Sequence, residues 1–261
     1  MTTIVLTTDL LDHDHAAFEH SVGLALGSGA SLVALHANGS PQDATRMPDA
    51  QAVLRRWDRP AGSLHYQTQV HSCCDDVIDT VLDGLRRLEP DLVVATTHDR
   101  GILARTFGGS GAESIAHNVT APVLLFPPEI DRGFVAPADG ASSLRSIVVP
   151  AGDAEAARAG LLRAGWIAEL LDASEVEVLL LCVGDHDPIP DFDLEVDARL
   201  KVRKQVVDAD DVCTAIVEHS RDASLVVMAT RGHDSLGDVL RGSRTDRVLH
   251  RVGCPVLSVK I

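Results

Sequence analysis

The residues best suited to chemistry lie in the last third of the chain. Ala229-Thr230-Arg231-Gly232 follows the apolar run Leu225 to Met228, and Gly242-Ser243 comes ten residues after Gly232. The next stretch, SRTDRVLHRV, reads as a helix with Ser243 as its N-cap. Small residues let a backbone come close to a phosphate, and a helix N-terminus offers unpaired N–H groups and the positive end of its dipole. Ser243 and Thr245 add hydroxyl donors. Arg231, Arg241, Arg244, Arg247 and Arg251 crowd this region of a chain whose net charge is −15, and guanidinium groups pair well with phosphate oxygens. The pattern predicts an anion site. A tight turn followed by a solvated basic helix face would use the same residues, and both readings stand on the sequence alone.

A second constellation lies in the first half. Asp9, His36, His98 and Asp99 stand at the carboxyl ends of apolar runs, where parallel sheets bind ligands, and His13, Asp14 and His15 are on the adjacent loop. Imidazole and carboxylate groups suit zinc. The competing reading makes these histidines sheet-edge residues without a metal. No GxSxG elbow, HExxH pair or full GxxxxGK[ST] loop occurs, and the three lysines, Lys201, Lys204 and Lys260, all lie outside the phosphate loop. Nothing in the spacing pairs carboxylates or serines for catalysis, so no catalytic residue is assigned. Asp12, Asp75, Asp76, Asp191 and Asp193 read as surface or capping charges.

The elements that must position these residues occur twice. Ile4 to Asp9 pairs with Ile147 to Gly152, Leu32 to Ala37 with Val178 to Val183, Leu92 to His98 with Leu225 to Arg231, and Ala121 to Leu125 with Cys254 to Ser258. The last two pairs keep a spacing of 133 residues and the first a spacing of 143, so the first half carries extra residues, around the polar stretch Gly39 to Gly62. Short β-branched or leucine-rich runs between turn residues are how strands buried on both faces of a parallel sheet read. Between them, Val77, Ile78, Val81, Leu82, Leu85 and Leu88 follow helical spacing up to Glu89-Pro90, with Asp75 and Asp76 in the first turn. Leu162, Trp166 and Leu170 predict one face of a helix that follows Asp153. Alternating strands and helices make βαβ units. Pro127 to Ser146, rich in Pro, Gly and Ser, reads as an interdomain linker.

Composition excludes several classes. At 261 residues and 45% apolar, the chain can bury two cores. Aromatics at 3% argue against stacking platforms for single-stranded nucleic acid. The charge balance is −7 in residues 1–128 and −7 in 147–261, so neither half is a basic nucleic-acid module. Five cysteines without CxxC spacing (Cys73, Cys74, Cys182, Cys213 and Cys254) read as small buried hydrophobes in a reducing compartment. The first ten residues lack a basic leader, and no run reaches the about 18 apolar residues of a spanning helix. The expectation is a cytoplasmic protein without membrane or nucleic-acid partners.

The order of these segments, with MATRG, then GS ten residues beyond its glycine, then CPVLSV, resembles the universal stress protein family. The resemblance covers nearly the whole chain, twice, outside the proline-rich stretch. Nucleotide-binding members carry G-x2-G-x9-G-S/T between the fourth strand and the last helix. The resemblance implies an α/β fold of two tandem, doubly wound, Rossmann-like domains, each with strand order 3-2-1-4-5. They would span 1–128 and 147–261, with a linker at 129–146, and be related by a pseudo-twofold axis. Val123 to Phe126 and Val256 to Val259 would be the meeting edges, giving intramolecular pairing, with a homodimer as a further state.

It also implies an adenine nucleotide (ATP, ADP or AMP, with or without magnesium) in the second half. Gly232, Gly242 and Ser243 match the motif, Ala229 stands for its first glycine, and Arg231, Arg244 and Thr245 lie beside them. Val183 matches the residue that lines the adenine, and Pro150 ends the first strand. Gly152 replaces the family's aspartate, with Asp153 next to it as the substitute. In the first half Thr7 takes the proline position, Asp9 is in place, and Ala37 corresponds to Val183. Gly109, Ser110 and Gly111 keep the end of the loop. His98 follows Thr97 as family histidines often do, and His36 ends the second strand. Thr96 replaces the first glycine and Asp99 the second. A carboxylate where a polyphosphate should lie repels it by roughly 1–4 kcal/mol. This degenerate site is therefore expected to have lost ordinary ATP binding or to need a bridging cation.

The expected function is that of an adenine-nucleotide-binding, stress-response regulatory protein, with at most slow ATP hydrolysis and an unidentified protein partner. The alternatives are a nucleotide-free interaction protein with decayed loops, with a metal in its first half, and an adenylating enzyme of the wider nucleotide α-hydrolase-like group.

Overall fold

The computed structural model describes residues 2–10, 14–37, 40–72, 76–97, 115–116, 118–189, 196–231 and 244–261. They form two compact units, one of residues 1–129 with 135–142, the other of 130–134 with 143–261. The first contains β1 (Thr3–Thr7), α1 (His15–Ser28), β2 (Ser31–Ala37), α2 (Ala50–Arg56), β3 (His65–His71), α3 (Val77–Leu88), β4 (Leu92–Thr96) and β5 (Val123–Phe126). The second contains β6 (Ser146–Pro150), α4 (Ala154–Leu170), β7 (Val176–Val183), β8 (Leu200–Val207), α5 (Val212–His219), β9 (Leu225–Thr230), α6 (Arg244–Leu249) and β10 (Val256–Lys260).

In the first unit the strands run parallel in the order β3-β2-β1-β4-β5. In the second they run parallel in the order β8-β7-β6-β9-β10, which is the same layout. With right-handed crossovers this order places helices on both faces and reverses direction between β1 and β4, and again between β6 and β9. The central strands are uniformly apolar because both of their faces are covered. All five residues of β4 and all four of β5 are buried. The outermost strands behave otherwise. HYQTQVH in β3 is exposed or half-buried throughout, and LKVRKQVV in β8 has one buried residue, Leu200, among exposed and half-buried ones. That polarity keeps them out of the apolar repeat read from the sequence, although each edge needs them.

Helix α3 forms as its periodicity predicts. Ile78, Val81, Leu82 and Leu85 are buried, Asp76 caps the helix by accepting from the amides of Ile78 and Asp79, and Glu89 ends it at φ 45°. Helix α4 follows Asp153 as expected. Of Leu162, Trp166 and Leu170 only Leu170 is buried; Leu162 is 69% exposed and Trp166 half-buried, its ring carrying the Arg163 guanidinium at 5.3 Å. The helix instead buries a band of small residues that includes Ala157, Gly160, Ala164 and Ala168. The reason is close approach to the sheet: a Cβ on Gly160 would meet Val149 Cγ1 at 2.4 Å. Leucine spacing marks a core face only where the gap admits leucine.

The extra length of the first half builds a short 3-10 helix, Pro41–Arg46, and α2. Within the proline-rich stretch, the amides of Asp131 and Arg132 donate to the Gly253 carbonyl. Val135 to Ser142 closes into a small hairpin through an antiparallel bridge and the Ala136 and Gly140 amides. In that hairpin the Pro137 carbonyl accepts from Trp57 Nε1 at 3.0 Å, and Gly140 lies flat on the Trp57 ring.

Candidate functional site

In both units the ends of the strands that flank the reversal of order gather the chemistry-bearing residues, where open parallel sheets bind ligands. In the second unit this edge carries Pro150 at the end of β6, Val183 at the end of β7, and Ala229 on β9, all half-buried. Gly152 follows β6, is exposed, and among the described residues has no atom within 4 Å of the place a Cβ would occupy. Asp153 caps α4, its Oδ1 accepting from the Ala156 amide at 2.9 Å. Its Oδ2 pairs with Arg231 Nη2 at 2.7 Å, and the same nitrogen reaches Glu155 Oε2 at 3.0 Å. The Ala156 amide first, and then Arg231, hold the Asp153 carboxyl below the usual carboxylate range. The two carboxylates push the Arg231 guanidinium further toward its charged form. The structure therefore brings together Asp153 and Arg231, which the sequence singles out 78 residues apart.

The arginine cluster divides on inspection. Asp211, the N-cap of α5, accepts from Arg247 at 3.0 Å and lies 3.9 Å from Arg251, which also donates to Thr214 Oγ1. These two guanidinium groups tie α6 to α5 and do not reach across the sheet edge. Arg244 is exposed at the start of α6. Thr245 is turned inward: it is 8% exposed, and its hydroxyl has no partner among the described residues. Gly232, Gly242 and Ser243 lie outside the described residues.

In the first unit the corresponding edge forms a hollow lined by Thr7, Thr8, Asp9, Asp14, Ala37 and Thr96, with an apolar wall that includes Val77, Val81 and Ile115. Thr7, Asp9, Ala37 and Thr96 are thus brought together. His98, Asp99, Gly109, Ser110 and Gly111 lie outside the described residues, as does His13. Two lining residues carry weight the sequence reading did not give them. Asp14 is 4% exposed although it precedes α1; it makes no cap bond and turns back to β1. Its Oδ2 accepts from Thr8 Oγ1 at 2.5 Å and from the Asp9 amide at 3.2 Å. Thr8 is buried because its hydroxyl serves that carboxylate. A polar residue next to an apolar strand end signals this only once the chain reversal is known. His36 is buried, and its Nδ1 lies 2.8 Å from the Thr8 carbonyl, holding β2 to the end of β1. Among the described residues no group of three or more His, Cys, Asp or Glu side chains is placed to hold a metal. Cys182, Cys213 and Cys254 are buried free thiols, and burial pushes Cys254 up to about 12, which keeps it protonated and inert. Among the described residues no helix is long and apolar enough to cross a membrane.

Comparison with known proteins places this geometry. No curated protein matches the chain. Two solved structures share the fold across their lengths. One is a universal stress protein from Archaeoglobus fulgidus DSM 4304, 17% identical, covering 99% of this chain and 96% of that one at a TM-score of 0.67. The other is a protein of unknown function from Pseudomonas aeruginosa PAO1, 15% identical, covering 100% and 92% at a TM-score of 0.67. The profile of the universal stress protein family matches residues 1–127 and 194–260. With both sheets in the order that the family resemblance implies, and the profile matched over well over half its length, the chain belongs to the universal stress protein family.

Proposed function

We propose that the protein is an adenine-nucleotide-binding regulatory member of its family, active in a stress response, which takes ATP, ADP or AMP at the strand-end edge of its second unit. The observation that carries this reading is the strand-end edge where Pro150, Val183 and Ala229 stand half-buried and the Arg231 guanidinium pairs with Asp153, next to Gly152. The residues suit the ligand. Val183 and Pro150 offer apolar contact for a flat base, Asp153 offers an acceptor for ribose hydroxyls, and Arg231 offers a cation for phosphate. By sequence, Gly232, Gly242 and Ser243 would supply backbone amides and a hydroxyl to the phosphates. A magnesium ion, if bound with ATP, would offset phosphate charge beside Asp153 and Glu155. An incoming phosphate must compete with those two carboxylates for Arg231, so affinity depends on the loop amides as well. The first unit has lost ordinary ATP binding or needs a bridging cation, because in sequence Thr96 replaces the first glycine of the motif and Asp99 the second.

The test is calorimetric titration of the full chain with ATP, ADP and AMP. One site per chain is expected, lost in Gly232→Asp without a change in the circular dichroism spectrum. Two equal sites, or unchanged affinity in Gly232→Asp, would overturn the assignment. A second reading, a nucleotide-free interaction protein, is favoured by the way Arg231, Arg247 and Arg251 are already offset by Asp153, Glu155 and Asp211. Absence of any nucleotide binding, with none released on denaturing the purified protein, would select it.

A further inference from the structure

Helix α4 buries one band of small residues and turns a different face to water. With about 100° between successive residues, Glu155, Ala159, Leu162, Trp166 and Glu169 project away from that band, and Arg158 and Arg163 stand on the two flanks. Leu162 is 69% exposed and, with Val206, is one of two large apolar side chains left in water among the described residues. Trp166, one turn further on, is half-buried, and the Arg163 guanidinium lies over its ring at 5.3 Å. The charges of this face differ in their commitments. Glu155 pairs with Arg231 at 3.0 Å. Arg158 and Glu169 are exposed, and among the described residues neither side chain makes an ion pair or a hydrogen bond. They are eleven residues apart, which is three turns and about 20°, so they share one flank at opposite ends of the Leu162–Trp166 pair.

This arrangement is complementary to itself. When a second α4 lies antiparallel on the first, residues whose numbers share one sum stand opposite each other, and each flank meets the same flank of its neighbour. With the twofold axis beside position 164, Leu162 of each copy meets Trp166 of the other. In that register Arg158 of each copy meets Glu169 of the other to within one residue, about 1.5 Å of rise. Two apolar contacts thus lie between two ion pairs. A parallel copy would instead set Arg158 on Arg158 and Glu169 on Glu169. We propose that the outward face of α4 is a docking surface for a second copy of this chain, paired as antiparallel helices about a twofold axis. One helix face covers less than the roughly 1,600 Å² of a standard interface. Each copy also carries a net charge of −15, which opposes association except where salt screens it. The pairing is therefore weak, with a dissociation constant of about 0.1–1 mM. It does not depend on the nucleotide reading of the second unit.

The test is sedimentation of the full chain from about 10 μM to 1 mM in about 0.15 M salt, where charges are screened beyond about 8 Å, with folding checked by circular dichroism. The wild type is expected to pass from monomer to dimer across that range. Leu162→Ser removes both apolar contacts, and Arg158→Glu or Glu169→Arg alone sets like charges opposite each other twice. Each of the three is expected to weaken dimerisation by at least about tenfold without loss of fold, because all three side chains are exposed. Mixing R158E with E169R, one of them fluorescently labelled, restores opposite charges at both positions of the mixed pair. A mixed dimer of about wild-type strength is expected, although neither variant pairs with itself, and the double variant R158E/E169R is expected to dimerise again. A chain that stays monomeric throughout would overturn the proposal. So would a dimer unmoved by Leu162→Ser and both charge reversals, or charge reversals that weaken dimerisation but are not rescued by mixing.

Discussion

Replacing Gly140 with alanine separates two effects that most glycine substitutions confuse. Gly140 has φ 70°, and a Cβ there would lie 2.3 Å from Trp57 Cε3 and 2.5 Å from Cδ2. Gly29 has nearly the same backbone, φ 68°, but no atom within 4 Å of its Cβ position. Gly29→Ala therefore carries only the left-handed backbone penalty, about 1–2 kcal/mol. Gly140→Ala carries that and the overpacking of a ring that is 4% exposed and held by its own hydrogen bond, a further 1–3 kcal/mol or so. The expected loss is about 2–5 kcal/mol for Gly140→Ala against about 1–2 for Gly29→Ala. The chain has only two tryptophans, Trp57 and Trp166, so urea unfolding in a Trp166→Phe background reads the first unit through Trp57 alone. Trp57→Leu, followed by circular dichroism, is expected to remove the excess cost of Gly140→Ala and leave that of Gly29→Ala unchanged. Equal losses for the two alanine variants, or no rescue by Trp57→Leu, would refute the packing of the 135–142 hairpin on Trp57.

Two further outcomes follow from the side chains themselves. His20 is buried against the edge of Phe126, and burial lowers it from 6.5 to about 4. Between those values the unfolded chain holds a proton that the folded chain does not, so stability is complete above about pH 6.5 and falls as pH drops toward 4, by an amount on the order of 3 kcal/mol. Urea midpoints between pH 7 and pH 5 are expected to fall in the wild type and to flatten in His20→Gln, and an equal slope in the two would refute the assignment. Arg231→Gln is expected to weaken nucleotide phosphate binding by at least tenfold while leaving the urea midpoint unchanged, because its ion pairs are exposed. A shifted midpoint with unchanged affinity would make Arg231 a structural tie only.

The sequence made most of this fold legible because burial on two faces leaves so little freedom of composition. Val93, Val94, Val226 and Val227 sit in strands with nothing but core around them, and their repetition at a fixed spacing announced the duplication. The edge strands β3 and β8 were hidden for the opposite reason, since one of their faces meets water and tolerates Gln, Thr, Lys and Arg. Helix α4 was legible but its packing band was not, because its closeness to Val149 favours glycine and alanine, which carry no periodic signal against a background of the same residues. At the site, residue types were readable but commitments were not. Five arginines in one stretch suggest an anion, yet whether each charge is free depends on Asp211 and Asp153, which reach them only through the packing of α5 and α4.

The same limit explains how two copies of one layout come to differ in chemistry. In the second unit the carboxylate after the first strand, Asp153, accepts from an amide of its own helix and pairs with Arg231. In the first unit Asp14 makes no cap bond and reaches back to Thr8 and the Asp9 amide, which turns those donors away from the hollow. One carboxylate is therefore used along its helix and the other against its strand. The first choice sets a guanidinium beside Gly152; the second ties the end of β1 to the start of α1. The bonding at two equivalent sheet edges can thus differ with no change of strand order. The difference lies in one carboxylate at the start of the first helix of each unit, Asp14 bonding back to its strand and Asp153 forward along its helix.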